Sequence, residues 1–365
     1  LDAHAQRMSD RLIHWAREAP DRTFIAQRER TADGKTGDWR HVTYAQALDA
    51  ARRIGQALLD RGLSQDRPVV ILSDNGIDHA LLALGCLYVG VPYSPASPAY
   101  STISKDYGKL RHVVDTLTPG LIWAEDGDRY GAAIAAVAPG GCEVAVSRHA
   151  DHAHLKGRAT TAFADLLATE PTPAVDAAHA ATGPDTIVKF LFTSGSTKLP
   201  KAVINTNRMW CANQQQMRQS MPVLAEEPPV LIDWLPWNHT FGGNHNVGLV
   251  LNNGGTLYID EGKPTPALMH ETLRNLRDIA PTLYFNVPTG FEAIANAMKQ
   301  DAELRRNFLS RVKMFFYAGA ALAQPVWDSL FESEEAEIGE RIVMTSGLGM
   351  TESSPYGLFV TSPNV

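Results

Sequence analysis

Cysteine is scarce in this chain. Cys86, Cys142 and Cys211 are the three in 365 residues, far apart and without a C-x-x-C pair, which speaks against a disulfide framework or a zinc site. Buried, reduced thiols are the plain reading, with Cys86 a small core residue in Leu84-Gly85-Cys86-Leu87. Positive charge is not in excess: 33 Lys+Arg stand against 40 Asp+Glu, a net charge of −7. That argues against a nucleic-acid or polybasic membrane binder, which needs clustered cations. Long apolar runs are missing. The most apolar stretch, His79 to Tyr93, contains glycines and falls short of the ~20 apolar residues that span a bilayer. The opening LDAHAQRMSDRLIHWAREAP has no basic region followed by an apolar one, so no signal peptide is legible. Position 1 is Leu rather than Met, and both ends are treated as possible cuts. The expectation is a soluble cytoplasmic protein with no nucleic-acid or membrane partner.

What is present is ordinary globular composition, with 44% hydrophobic residues, which leaves out collagen-like and wholly disordered chains. The length is more than twice the ~150 residues of a typical domain. Short β-like runs alternate with helical patterns. Thr43 to Arg61 places Tyr44, Ala47, Leu48, Ala51, Ile54 and Leu58 on one helical face, with Thr43 to cap its start and Gly62 its end. Val69 to Leu72 suits a strand covered on both faces. Helices are expected at Ile77–Val89, Ile103–Leu117, Arg208–Met221, Pro266–Ile279, Gly290–Lys299, Asp301–Leu309 and Pro325–Glu334. Further strands are expected at Leu121–Trp123, Ile187–Phe192, Val230–Trp234, Thr256–Ile259, Thr282–Phe285, Val312–Tyr317 and Arg341–Thr345. This is the pattern of an α/β fold with mostly parallel sheets. From Ala168 to Asp185 the sequence ATEPTPAVDAAHAATGPD loses periodicity and reads as a surface linker. The chain is therefore expected to form two stacked α/β subdomains, 1–175 and 176–365, without a solenoid repeat.

One segment carries more chemistry than the rest: Phe192-Thr193-Ser194-Gly195-Ser196-Thr197-Lys198-Leu199-Pro200-Lys201. Glycine lets backbone approach an anion, hydroxyls and amides donate hydrogen bonds, and lysine adds charge. A polyphosphate fits such a loop; so does the plain alternative, a Ser/Thr-rich surface turn. It is neither a Walker A loop nor a nucleophile elbow, because G-x-x-x-x-G-K-[ST] and G-x-S-x-G are both absent.

The order of residues in TSGSTKLPKAV resembles the phosphate-binding motif of the adenylate-forming superfamily of acyl-CoA synthetases, luciferases and peptide-synthetase adenylation domains. It departs at Lys198 and Ala202, where that family usually has Gly. Three further segments match in the family's order: Leu235-Pro236-Trp237-Asn238-His239-Thr240-Phe241-Gly242-Gly243, Tyr317-Ala318-Gly319-Ala320-Ala321-Leu322 and Gly347-Leu348-Gly349-Met350-Thr351-Glu352. Within the superfamily the chain most resembles the feruloyl-CoA synthetase branch, through KAVINTNRMWCANQQQM, WLPWNHTFGGNHNVGLVLNNGGTLYIDEGKP, TLYFNVPTGFE and VPYSPASPAYS.

The resemblance implies an AMP-forming acid–thiol ligase that uses ATP, Mg²⁺ and coenzyme A, acts on a ferulate-like carboxylic acid, and belongs to phenylpropanoid degradation. Thr193, Ser194, Gly195, Ser196, Thr197 and Lys201 would cradle the β,γ-phosphates. Gly319, Ala320, Ala321, Leu348 and Gly349 would lie against adenine, with Leu348 aliphatic where the family often has an aromatic. Thr351 would bond the α-phosphate and Glu352 would hold Mg²⁺; a carboxylate answering a helix dipole is the plain alternative for Glu352. His239 would position the substrate carboxylate, which is already ionised at neutral pH and needs no base. His245 tempts a metal reading but has no third ligand in view. Trp237, His239, Phe241, Tyr284, Phe285, Asn286 and Gly319 are the candidates for the acyl pocket; plain core packing is the alternative for each aromatic.

In this superfamily a ribose-binding Asp, a hinge and a catalytic Lys on a small mobile domain lie beyond the last motif. The sequence stops at Val365, 13 residues after Glu352. The expectation is that this chain lacks the small C-terminal domain and is weak or inactive in adenylation alone. The alternatives are adenylation of another aryl or fatty acid for CoA or a carrier protein, and a nucleotide-binding core without activity. Oligomeric state is not legible.

Overall fold

The computed structural model describes residues 1–30, 36–193 and 199–361. Its largest sheet has seven strands, in the order Thr160–Ala162, Glu143–Arg148, Leu121–Asp126, Val69–Leu72, Tyr93–Pro95, Ile187–Thr193 and Lys201–Thr206. Neighbours are parallel except for the last pair, an antiparallel hairpin. A second sheet runs Leu283–Asn286, Met314–Tyr317, Val343–Gly349 and Tyr356–Thr361, parallel until its antiparallel edge. A third runs Val230–Asp233, Thr256–Ile259, Thr23–Arg30 and Thr36–Thr43, again with one antiparallel edge pair. The α/β class with mostly parallel sheets is as expected from the alternation.

Local chemistry accounts for the elements. All four residues of Val69–Leu72 are buried, as a strand covered on both faces requires. The helix Tyr44–Asp60 starts at a reciprocal cap: Thr43 Oγ1 accepts from Gln46 N at 3.2 Å and Gln46 Oε1 from Thr43 N at 2.9 Å. Such a box contributes about 1 kcal/mol. Gly62 follows with φ of 63°. This helix packs on Ile77–Val89 through glycines: a Cβ on Gly85 would stand 2.5 Å from Ile54 Cγ2.

Three expectations need correction. The segment Ala168–Asp185 contains the helix Pro173–Ala181, with Pro173 in its first turn, Thr172 as cap, and Val175 and His179 buried. His179 stacks on Tyr88 at 4.4 Å. Proline at a helix start and alanine within it are helix-compatible, and only two buried positions left little periodicity to read. The helix expected over Ile103–Leu117 begins at Gly108, after a short turn at Ala99–Thr102. The sheets also do not follow the division at residue 175. Thr23–Arg30 and Thr36–Thr43 join strands at 230–259, while Ile187–Thr193 and Lys201–Thr206 complete the sheet built from residues 69–162.

The parallel strands bring their carboxyl ends to the segments of interest. Asn286 and Tyr317 end neighbouring strands in register with Ser346, in the middle of the next strand, Val343–Gly349. The segment singled out from the sequence continues from Thr193, at the carboxyl end of its strand. Crevices beyond the carboxyl ends of such sheets are where α/β folds bind ligands. Among the described residues no helix is long and apolar enough to cross a membrane.

Candidate functional site

Ser194, Gly195, Ser196, Thr197 and Lys198 lie outside the described residues. The residues on either side are described: Thr193 and Lys201 are cross-strand partners. Lys201 is exposed on an open cleft of about 700 Å³ that His112, Thr116, Leu199, Pro200 and Ala202 also line. His112 Nε2 bonds Pro200 O at 2.8 Å and ties Pro200 to the helix Gly108–Leu117.

The segment from Leu235 to Asn246 doubles back into a π-helical turn, Phe241–Asn246, that leads into the helix Val247–Asn253. Glycines permit the fold. A Cβ on Gly242 would meet Leu235 O at 2.3 Å, and one on Gly243 would meet Trp237 O at 2.2 Å. His239 is exposed on this segment. Its Nδ1 accepts from Phe241 N at 3.2 Å, so the neutral ring carries its proton on Nε2. The protein packed around the ring lowers its pKa.

Phe241, Phe285 and Phe316 surround His245, with ring separations from it of 5.4, 5.0 and 5.4 Å. His245 Nδ1 bonds Asn246 Oδ1 at 2.8 Å, and its Nε2 has no partner among the described residues. Burial drives the His245 pKa to about 4. Asp233, at the end of its strand, is buried too; desolvation raises its pKa to about 7, against the hydrogen bond that Leu235 N donates to Oδ1 at 3.0 Å.

Of the other acyl-pocket candidates, Trp237 is buried edge-on to His79 at 4.9 Å and lines a small apolar cavity with Trp210 and Gly243. Tyr284 and Asn286 are not brought to Phe241. They occupy the opposite face of their strand from Phe285: Tyr284 packs on Phe291 and Phe308. Asn286 is fully engaged, donating to Tyr284 Oη at 3.0 Å and accepting from Trp234 Nε1 at 3.2 Å and Val287 N at 2.8 Å. Strand alternation separates neighbours 284 and 285, so the three cannot line one pocket.

Gly319, with φ of 93°, begins an exposed loop with Ala320 and Ala321 beyond Tyr317. Leu348 and Gly349 are exposed on the adjacent strand. Thr351 and the exposed Glu352 occupy a 3₁₀ turn, Thr351–Ser353. That turn packs against the strand that begins at Lys201.

A buried polar junction, not anticipated from the sequence, joins these pieces. Asn205 Oδ1 accepts from Asn244 Nδ2 at 2.9 Å and from Ser354 Oγ at 3.2 Å. Asn213 Nδ2 donates to Ser353 O at 3.0 Å and Tyr356 O at 2.9 Å. Asn244 O accepts from Trp210 Nε1 and Gln214 Nε2, both at 2.9 Å. Lys189 Nζ donates to Gly243 O at 3.0 Å. The available signals were polar residues at inward strand positions, Lys189 in IVKFLF and Asn205 in KAVINT.

Comparison with known proteins gives a family. The model described as AMP-binding enzyme matches residues 12–364. The chain is similar to long-chain-fatty-acid–CoA ligase ACSBG1 of Bos taurus, 24% identical over 80% of this chain and 39% of that protein. It is similar to 4-coumarate–CoA ligase 3 of Oryza sativa subsp. japonica, 25% identical over 88% of this chain and 53% of that protein. The chain thus spans about half or less of the length of these curated relatives. Among solved structures, a benzoate CoA ligase from Burkholderia xenovorans LB400 superposes with a TM-score of 0.73 at 20% identity, covering 99% of this chain and 64% of that one. At that identity the likeness concerns the fold.

Proposed function

The chain belongs to the AMP-binding enzyme family, and from that premise we propose that it is the nucleotide- and acyl-binding core of an ATP-dependent ligase that converts an aromatic, ferulate-like carboxylic acid to its CoA thioester. A carboxylate oxygen of the substrate attacks the α-phosphorus of ATP, the bond to pyrophosphate breaks, and an acyl-adenylate forms. The sulfur of coenzyme A then attacks the acyl carbon, and AMP leaves with the electron pair of the broken C–O bond.

The protein's part is to position groups and to stabilise charge on phosphate oxygens. Thr193 and Lys201, with Ser194, Gly195, Ser196 and Thr197 between them, hold the β,γ-phosphates. Thr351 bonds the α-phosphate. Gly319, Ala320, Ala321, Leu348 and Gly349 border adenine. Glu352 offers an exposed carboxylate beside a hydroxyl, a donor set that suits Mg²⁺, which prefers oxygen and keeps several waters; the ion would supply charge neutralisation at the phosphates. His239, neutral and with Nε2–H outward of its bond to Phe241 N, orients the carboxylate. Phe241, Phe285 and His245 favour a flat ring: aromatic faces surround one buried nitrogen, His245 Nε2, which accepts because Nδ1 donates to Asn246 Oδ1, and such an acceptor suits the O–H of a ring hydroxyl.

The observation that carries this reading is the Asn205 junction. It puts the acyl-side turn, the strand after the phosphate loop and the segment after Glu352 in mutual contact, as one reaction site needs. The test is thioester and AMP formation by the intact gene product with ATP, Mg²⁺, CoA and a panel of acids. An aryl acid is expected to dominate. A dominant fatty acid would overturn the aryl assignment, and transfer to a phosphopantetheinyl carrier in place of CoA would overturn the acceptor.

A further inference from the structure

We propose that Lys189 is a positioning residue that clamps the acyl-side turn Phe241–Asn246 to the hairpin flanking the phosphate loop, and so sets the spacing between the two halves of the adenylation site. The inference rests on the function proposed above.

Lys189 is 1% exposed. Its Nζ lies 3.0 Å from Gly243 O and 3.4 Å from the centre of the Trp210 ring. Among the described residues it makes no ion pair. Burying an amine with a carbonyl and ring faces as its only company is costly, and burial drives its pKa well below the usual lysine value. An apolar side chain of similar length would fill the space without that cost. Stability is therefore not what the amine supplies.

Direction is what it supplies. In the π-helical turn the carbonyls of consecutive residues are bonded by side chains from outside: Gly243 by Lys189, Asn244 by Trp210 and Gln214. Inserted donors of this kind accompany widened turns at functional sites. Gly243 N in turn donates to His239 O at 2.9 Å. An unbroken line of bonds thus runs from the strand that ends at Thr193, through Lys189 and Gly243, to the backbone of His239. Lys189 is also the cross-strand partner of Asn205, so the hairpin grips residues 243 and 244 at adjacent points.

The experiment compares wild type with Lys189→Met, which keeps length and removes the donor. Dissociation constants are measured for a non-hydrolysable ATP analogue, for ferulate, and for a feruloyl-sulfamoyl-adenosine that spans both halves. Amide exchange is measured without ligand. The proposal expects the spanning compound to bind about tenfold or more weakly to the variant, each half-ligand to change less than about threefold, and amides at 241–246 to exchange about tenfold faster. Equal loss of all three ligands overturns it, as does unchanged binding of the spanning compound, unchanged exchange at 241–246, or a variant that fails to fold. If wild type binds none of the three, the adenylation reading fails, while the exchange result still decides whether Lys189 holds the turn.

Discussion

Lys189 and Asn205 face one another across the antiparallel pair Ile187–Thr193 and Lys201–Thr206, and they reach the consecutive residues Gly243 and Asn244. Asn205 does so with one oxygen that serves two buried donors. Replacing it by Ala leaves Ser354 Oγ without its acceptor and strips Asn244 Nδ2 of one of two. We expect Asn205→Ala to lose about 2 kcal/mol of stability in denaturant unfolding. Asn205→Ala and Asn244→Ala combined should lose clearly less than the sum of the single losses, because both break one network. Additive losses would mean that the junction does not act as a unit.

Gly243→Ala should be severe for a steric reason. Its Cβ would stand 2.2 Å from the backbone oxygen of Trp237, and backbone cannot swing away as a flexible side chain can. A loss of about 2 kcal/mol or more is expected. Gly140→Ala, where nothing lies within 4 Å, should stay within about 0.5 kcal/mol and serves as the control. Comparable midpoints for the two variants in thermal unfolding would contradict the close approach.

Part of this was legible from sequence and part was not. Val69–Leu72 and the Thr43 cap were readable because burial and capping leave local marks. The edge strands Lys201–Thr206 and Tyr356–Thr361 were not, because an edge strand with one open face alternates weakly. Motif order is what singled out residues 193–201, His239 and Thr351-Glu352 as candidates. It placed Tyr284, Phe285 and Asn286 in one pocket, and only the pleat of the strand divides them between two faces. The junction around Asn205 joins residues far apart in the chain, and no local pattern announces such pairs.

Asp233 gives a pH prediction. Burial raises its pKa from 3.8 to about 7 in the fold. The folded state therefore holds its proton more tightly than the unfolded chain between those values, and this group's contribution to stability falls as pH rises through the window. Asp233→Asn removes that penalty. Its unfolding free energy relative to wild type, from denaturant titrations, should climb from pH 4 to about pH 7 and level off above, by a total of about 4 kcal/mol. A difference independent of pH would rule out the buried titration.

Lys201→Ala should weaken ATP binding more than aryl-acid binding, because its charge serves the phosphates. About tenfold for the nucleotide against less than twofold for the acid is the expected split, read by calorimetry. Equal losses would contradict the cradle.

The central claim is that this chain carries the core of an aryl-acid ligase. Its most direct test follows pyrophosphate, AMP and thioester when the intact gene product meets ATP, Mg²⁺, CoA and ferulate, beside 4-coumarate, benzoate and a long-chain fatty acid. The account predicts AMP and an aryl-CoA thioester in equal amounts, with a hydroxycinnamate preferred. Acid-independent ATP hydrolysis, or a thioester formed from the fatty acid alone, would contradict it.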